Sequence, residues 1–133
     1  MKDLNTLPDD LPVPEDDGAC NHLLGTKLPS VMLRSTSGSM VDIGAITGTV
    51  AIIFYPMNGR SDSAPMIGWN DIPGARGCTP QACSFRDNYS KLEKLGVKLF
   101  GISSQPLVDQ KEAHQRLNLP FELLNDSEFV LAK

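Results

Sequence analysis

The sequence predicts an α/β domain built on a central, mainly parallel sheet with crossover helices. Two observations carry this. The continuous runs Thr49–Tyr55 and Val97–Ile102, rich in β-branched and aromatic residues, read as buried strands, and apolar residues between and after them recur at helical spacing. The resulting order, strand-helix-strand-helix-strand, is the one that parallel sheets with crossover helices produce. Ligands in open sheets of this kind sit beyond the carboxyl ends of the strands, which points to the segment following Tyr55.

The elements follow in order. Residues 1–27, with prolines at 8, 12 and 14 and acids at 3, 9, 10, 15, 16 and 17, read as an acidic arm without a buried face, leaving 28–133 as the domain. Val31-Met32-Leu33 and Met40-Val41 flank Ser35-Thr36-Ser37-Gly38 and predict a strand, a turn and a strand. Thr49–Tyr55 predicts a strand covered on both faces, stopped by Pro56. Residues 56–77, rich in Gly, Pro, Ser and Asn, form a connection of a length that compact domains usually reserve for function. Thr79-Pro80 reads as an N-cap followed by proline at the first helical position. Ala82, Phe85, Tyr89, Leu92 and Leu95 continue that helix along one face, and Gly96 stops it. A second helix from Pro106 to about Leu117, a strand over Phe121–Leu124 and a capping residue at Asp126 or Ser127 complete the pattern.

The composition narrows the function. A chain of 133 residues has room for one domain that buries a core without disulfide staples. A formal charge of -4 and a pI near 5.0 disfavour nucleic acid and anionic lipid as partners. No apolar run approaches the ~20 residues of a membrane helix, and Met1-Lys2-Asp3-Leu4 leads into acidic sequence rather than a secretory apolar stretch, so a cytoplasmic location is expected. Three cysteines are an odd, sparse set, which predicts reduced thiols. Cys20 and His22 lack two further ligands at a workable spacing, and no metal or other cofactor is expected.

Chemistry concentrates at Cys78. A thiol attacks as its thiolate, and the start of a helix favours ionisation through free backbone N–H groups and the helix dipole. Arg76 adds a nearby cation, and Gly77 lets the backbone approach a small substrate. The same N–H groups are placed to hold a peroxide oxygen as charge builds on it, and a sulfenic acid results. Cys83 is the nearest second thiol. In an intact helix an i, i+5 pair has Cα atoms roughly 8 to 9 Å apart, whereas a disulfide needs less than about 7 Å, so any Cys78–Cys83 bond requires the first helical turn to unwind.

Gly77-Cys78-Thr79-Pro80-Gln81-Ala82-Cys83-Ser84-Phe85-Arg86-Asp87, followed by Leu95-Gly96-Val97 and Gly101-Ile102-Ser103, resembles the active-site stretch of bacterial peroxiredoxins, most of all the Q-type or bacterioferritin-comigratory-protein branch. Phe54-Tyr55-Pro56 and Leu119-Pro120-Phe121-Glu122-Leu123-Leu124-Asn125-Asp126 are similar to neighbouring strands of that branch. The likeness covers about residues 28–133 and stops short of the family's C-terminal third. It implies a thioredoxin-like fold, reduction of hydrogen peroxide and organic hydroperoxides, a peroxidatic role for Cys78, a resolving role for Cys83, and thioredoxin or a similar dithiol protein as reductant. The chain departs from the family's P-x3-(T/S)-x2-C pattern: Asp71 and Ala75 stand at the proline and hydroxyl positions, with Pro56 as the displaced proline. Ser61, Ser63 and Thr79 are the candidates to replace the missing hydroxyl. The arginine such proteins carry in their C-terminal third has no counterpart in Arg60, Arg76 or Arg86.

Other readings stay in view. A disulfide switch between Cys78 and Cys83 with little turnover, in a redox-sensing or binding module, is the alternative from another class. A thiol-disulfide oxidoreductase lacks its C-x-x-C spacing, and Gly101-Ile102-Ser103-Ser104-Gln105 fails the last position of a hydrolase G-x-S-x-G elbow. His114, with Gln110 and Lys111 nearby, reads as a solvated or partly packed residue of the second helix.

Overall fold

A computed structural model describes residues 9–132. Among the described residues three strands come first and helices then alternate with strands: β1 Met32–Ser35, β2 Met40–Asp42, β3 Val50–Phe54, α1 Cys78–Lys94, β4 Lys98–Ser103, α2 Leu107–Arg116 and β5 Glu122–Asn125. The sheet order is β2-β1-β5-β4-β3. β3, β4 and β5 run parallel, with Ile52 opposite Phe100 and Ile102 opposite Leu124, while β1 lies antiparallel to both β2 and β5. The α/β sheet with parallel crossovers expected from the sequence is therefore present, extended at one side by an antiparallel hairpin.

The two crossovers step in the same direction, β3 to β4 to β5, and crossovers of one hand then place both helices on one face. The core divides accordingly. Tyr55, Ala82, Leu99, Phe121 and Leu123 are buried on the α1 face, joined by Phe85, Tyr89 and Leu92 of the helix, as their spacing predicts. Successive strand residues point to opposite faces, so Ile102 and Leu124 bury on the other side with Val31, Leu33 and Ile43. Each such side chain contributes roughly 1.5–3 kcal/mol by leaving water.

Three expectations need correction. Helix α1 begins at Cys78, with Gly77 as N-cap and no side-chain cap; Thr79 is its second residue and Pro80 its third. Proline is tolerated there because the amide it lacks would have no partner within the helix. Strand β3 is not covered on both faces: it lies at the sheet edge, its residues are half-buried, and Phe54 is 60% exposed. Asp126 caps no helix; its carboxylate accepts from the amides of Val130, Leu131 and Ala132 and holds a turn. The C-terminal stop of α1 is as expected. Gly96 takes φ +70°, its amide donates to Glu93 O, and the amide of Val97 donates to Leu92 O. Part of the predicted arm, residues 1–8, lies outside the described residues; residues 9–30 are almost all exposed.

Candidate active site

Why α1 starts where it does follows from the turn before it. Gly74 adopts φ +76°, and the amide of Gly77 donates to Gly74 O at 2.8 Å, closing a turn that hands the chain to the helix. The first helical bond runs from the amide of Gln81 to Gly77 O at 2.9 Å. Pro80 has no N–H, and the amides of Cys78 and Thr79, in the first turn, have no acceptor among the described residues. Two free donors and the positive end of a 17-residue helix thus lie at Cys78, its first residue.

Cys78 is half-buried and packs against the α1-face core. It stands between two spaces. Toward the interior lies a cavity of about 10 Å³, shared with Ile53, Tyr55, Asn58, Gln81 and Gly101, close to the size that holds one water. Toward solvent lies an open apolar groove lined by Leu11, Phe54, Pro56, Trp69 and Ile72. A small oxidant thus has a route to the sulfur, while bulk water meets mostly apolar walls.

Tyr55 shapes the cavity floor. It is 8% exposed, and burial pushes its hydroxyl up to about 12, reinforced by a negative charge at Cys78 and opposed by hydrogen bonds from Gln110 and Asn58. Its folded value lies above the unfolded value near 10, so the stability it carries is complete below pH 10 and is lost as pH rises through 12. A loss of about 2–3 kcal/mol is expected between those limits, absent in Tyr55→Phe, as measured by urea unfolding at stepped pH. Gly101 occupies β4 beneath the cavity, where an added Cβ would stand 2.7 Å from Leu123 Cδ2 and 3.2 Å from Tyr55 Cε1. Gly101→Ala is expected to lower stability by about 1–3 kcal/mol, read as an earlier urea midpoint at unchanged slope.

The start of the long loop is fastened by buried polar groups. The amide of Asn58 donates to Gln105 Oε1 at 3.0 Å, Gln105 Nε2 donates to Asn58 O at 2.9 Å, and Ser103 Oγ donates to Pro56 O at 2.8 Å. Beside them Gln110, 0% exposed, donates to Leu124 O at 3.0 Å and accepts from Asn125 Nδ2 at 2.9 Å. These three amide side chains gave no signal in the sequence, because polar residues on a loop or a helix surface carry no periodic mark of burial.

The other predicted residues divide. Cys83 sits in α1 five residues after Cys78, half-buried against the same core, with both sulfurs free. Arg86, whose guanidinium is raised by the Asp87 carboxylate and further by charge at Cys83, donates to Leu117 O. Cys20 is exposed on the arm beside His22, which bonds Ala19 O. Ser61, Ser63 and Thr79 line a separate pocket of about 410 Å³ that does not include Cys78. Arg76, expected to act on Cys78, lines that same pocket and donates to Asn70 Oδ1 at 2.7 Å. Arg60 pairs with Asp62 and Asp109, and Arg116 with Glu112 and Gly59 O; these arginines strap the loop to α2, their charges answered by carboxylates. Ala75 supplies no hydroxyl.

A model of the AhpC/TSA family matches residues 72–133. The chloroplastic peroxiredoxin Q of Oryza sativa subsp. japonica is 36% identical over 103 residues, covering 77% of this chain and 41% of that protein. The putative peroxiredoxin bcp of Coxiella burnetii is 35% identical over 106 residues, covering 79% of this chain and 60% of that protein. The chain thus spans between 41% and 60% of the length of these two curated relatives. Among solved structures, a peroxiredoxin Q of Xanthomonas campestris superposes with a TM-score of 0.63 at 22% identity over 81% of this chain and 62% of that one. The peroxidoxin BcpB of Mycobacterium tuberculosis does so with a TM-score of 0.64 at 22% identity, over the same shares. These two establish a thioredoxin-like fold of the peroxiredoxin Q type. With the Gly77–Cys83 motif opening α1, residues 72–133 carry an AhpC/TSA family domain, and the chain is similar to curated peroxiredoxins of the Q and bcp groups.

Proposed function

We propose that the chain is a thiol-dependent peroxidase that reduces hydrogen peroxide and organic hydroperoxides, with Cys78 as the attacking thiolate, Cys83 as the resolving thiol and thioredoxin or a similar dithiol protein as reductant. The observation that carries this reading is the placement of Cys78 as first residue of α1, under two unpaired amides and open to a groove. The thiolate attacks one peroxide oxygen: an S–O bond forms, the O–O bond breaks, and hydroxide or alkoxide departs, taking a proton to become water or an alcohol. The Cys83 thiol then displaces water from the sulfenic acid to give a disulfide, and two electrons from the reductant restore both thiols.

A disulfide switch with little turnover is the second reading, favoured by the absence of a hydroxyl at Ala75. One equivalent of hydrogen peroxide should convert the chain to a species lighter by two hydrogens, with peptide mapping joining Cys78 to Cys83. Added thioredoxin, its reductase and NADPH should then sustain rapid peroxide consumption. Oxidation that is slow and stops at one equivalent despite the reducing system favours the switch. A disulfide engaging Cys20 instead would sink both assignments.

A further inference from the structure

We propose that Asn58 orients the hydroperoxide at Cys78, its side-chain oxygen accepting the hydrogen bond that the peroxide O–H donates. The inference rests on the peroxidase reading and adds to it a residue outside the cysteine motif.

Asn58 is 1% exposed, and its Oδ1 is the one buried side-chain polar atom without a hydrogen-bond partner among the described residues. Folded proteins rarely leave such an atom unpaired, because burial strips its water and returns nothing. The main chain around it is fixed, since the backbone N–H and C=O of Asn58 are both committed to the Gln105 side chain. The residue lines the same small cavity as Cys78, Tyr55 and Gln81. The orphaned acceptor is thus a neighbour of the nucleophile.

The chemistry supplies the missing partner. Every hydroperoxide carries at least one O–H that needs an acceptor, together with lone pairs that need donors. The amides of Cys78 and Thr79 are the donors. The hydroxyl candidates Ser61, Ser63 and Thr79 line another pocket, and of the side chains around the Cys78 cavity Asn58 is the one whose buried oxygen has no partner among the described residues. Donors on one side and an acceptor on the other hold the O–O bond along the line of attack; the sulfur forms its S–O bond as O–O breaks, and the departing oxygen takes a solvent proton.

The test uses the full chain with Cys20 and Cys83 changed to serine, so that Cys78 alone reacts. Sulfenate formation by hydrogen peroxide is timed beside alkylation by iodoacetamide, which brings no O–H and reports the thiolate alone. Asn58→Leu should slow the peroxide reaction by about tenfold or more, leave alkylation within about threefold, and keep the thermal midpoint unchanged or raise it, because an unpaired polar atom is gone. A peroxide rate that does not change, or two rates that fall together, overturns the proposal. Should the leucine variant fail to fold, Asn58→Ala decides by the same ratio. If the parent chain is inert to peroxide while its sulfur alkylates normally, the peroxidase reading itself fails, a result distinct from a loss confined to position 58.

Discussion

Cys78→Ser is expected to abolish peroxide consumption in the thioredoxin-coupled assay, a loss on the order of a thousandfold or more, because a serine hydroxyl does not ionise near neutral pH even under two amide donors. The fold should survive: the sulfur is half-buried, and the exchange removes no hydrogen bond found in the structure. Cys83→Ser should behave differently. Its first oxidation by one equivalent of peroxide proceeds at the parent rate and leaves a sulfenic acid that dimedone traps, while turnover with thioredoxin falls for want of a resolving thiol. Cys20→Ser should change neither quantity, since that sulfur lies exposed on the arm. An exchange of these outcomes, with Cys83→Ser blocking the first oxidation and Cys78→Ser sparing it, would reverse the two roles.

The elements of the fold were legible because their signals are local. The run at Thr49–Tyr55, the spacing of Phe85, Tyr89 and Leu92, and Gly96 in the left-handed region each specify an element from neighbours in the chain. The start of α1 was misplaced by two residues for a physical reason: Thr79-Pro80 matches the usual capping pattern, but a turn from Gly74 to Gly77 hands over a helical backbone at Gly77, and no side-chain cap is then required. The exposure of β3 was not legible either. A fully apolar run predicts cover on both faces, whereas its position at the sheet edge depends on the order in which distant strands pair.

At the site, the placing of Cys78 and Cys83 on one helix was readable and their surroundings were not. That Cys78 stands near a helix start is a local signal, but whether Arg76 faces Cys78 or Asn70 depends on the path of the 56–77 loop. Asn58, Gln105 and Gln110 are polar residues whose burial arises only when the loop folds back on β4 and α2. Polarity in the sequence indicates solvent; its meaning reverses when partners come from 47 positions away, as Gln105 does for Asn58.

In the disulfide form, amides between Gly77 and Phe85 should exchange with solvent faster than in the dithiol form by on the order of a hundredfold or more. Both cysteines lie within α1, the first and sixth of its residues. Helix geometry separates such Cα atoms by roughly 8 to 9 Å, beyond the about 7 Å a disulfide spans. Oxidation must therefore break the opening turn, beginning with the Gln81 to Gly77 bond. Pro80 eases this, because with no N–H it contributes no bond to break. The unwinding has a natural limit: Phe85, Tyr89 and Leu92 anchor the rest of α1 in the core, with the Tyr89 ring 6.2 Å from that of Phe121. Amides from Tyr89 to Leu92 should accordingly keep their protection. Exchange measured on both forms checks this residue by residue. Equal protection at Gln81 and Ala82 in the two forms would show that the bond forms without unwinding, which an intact helix does not allow.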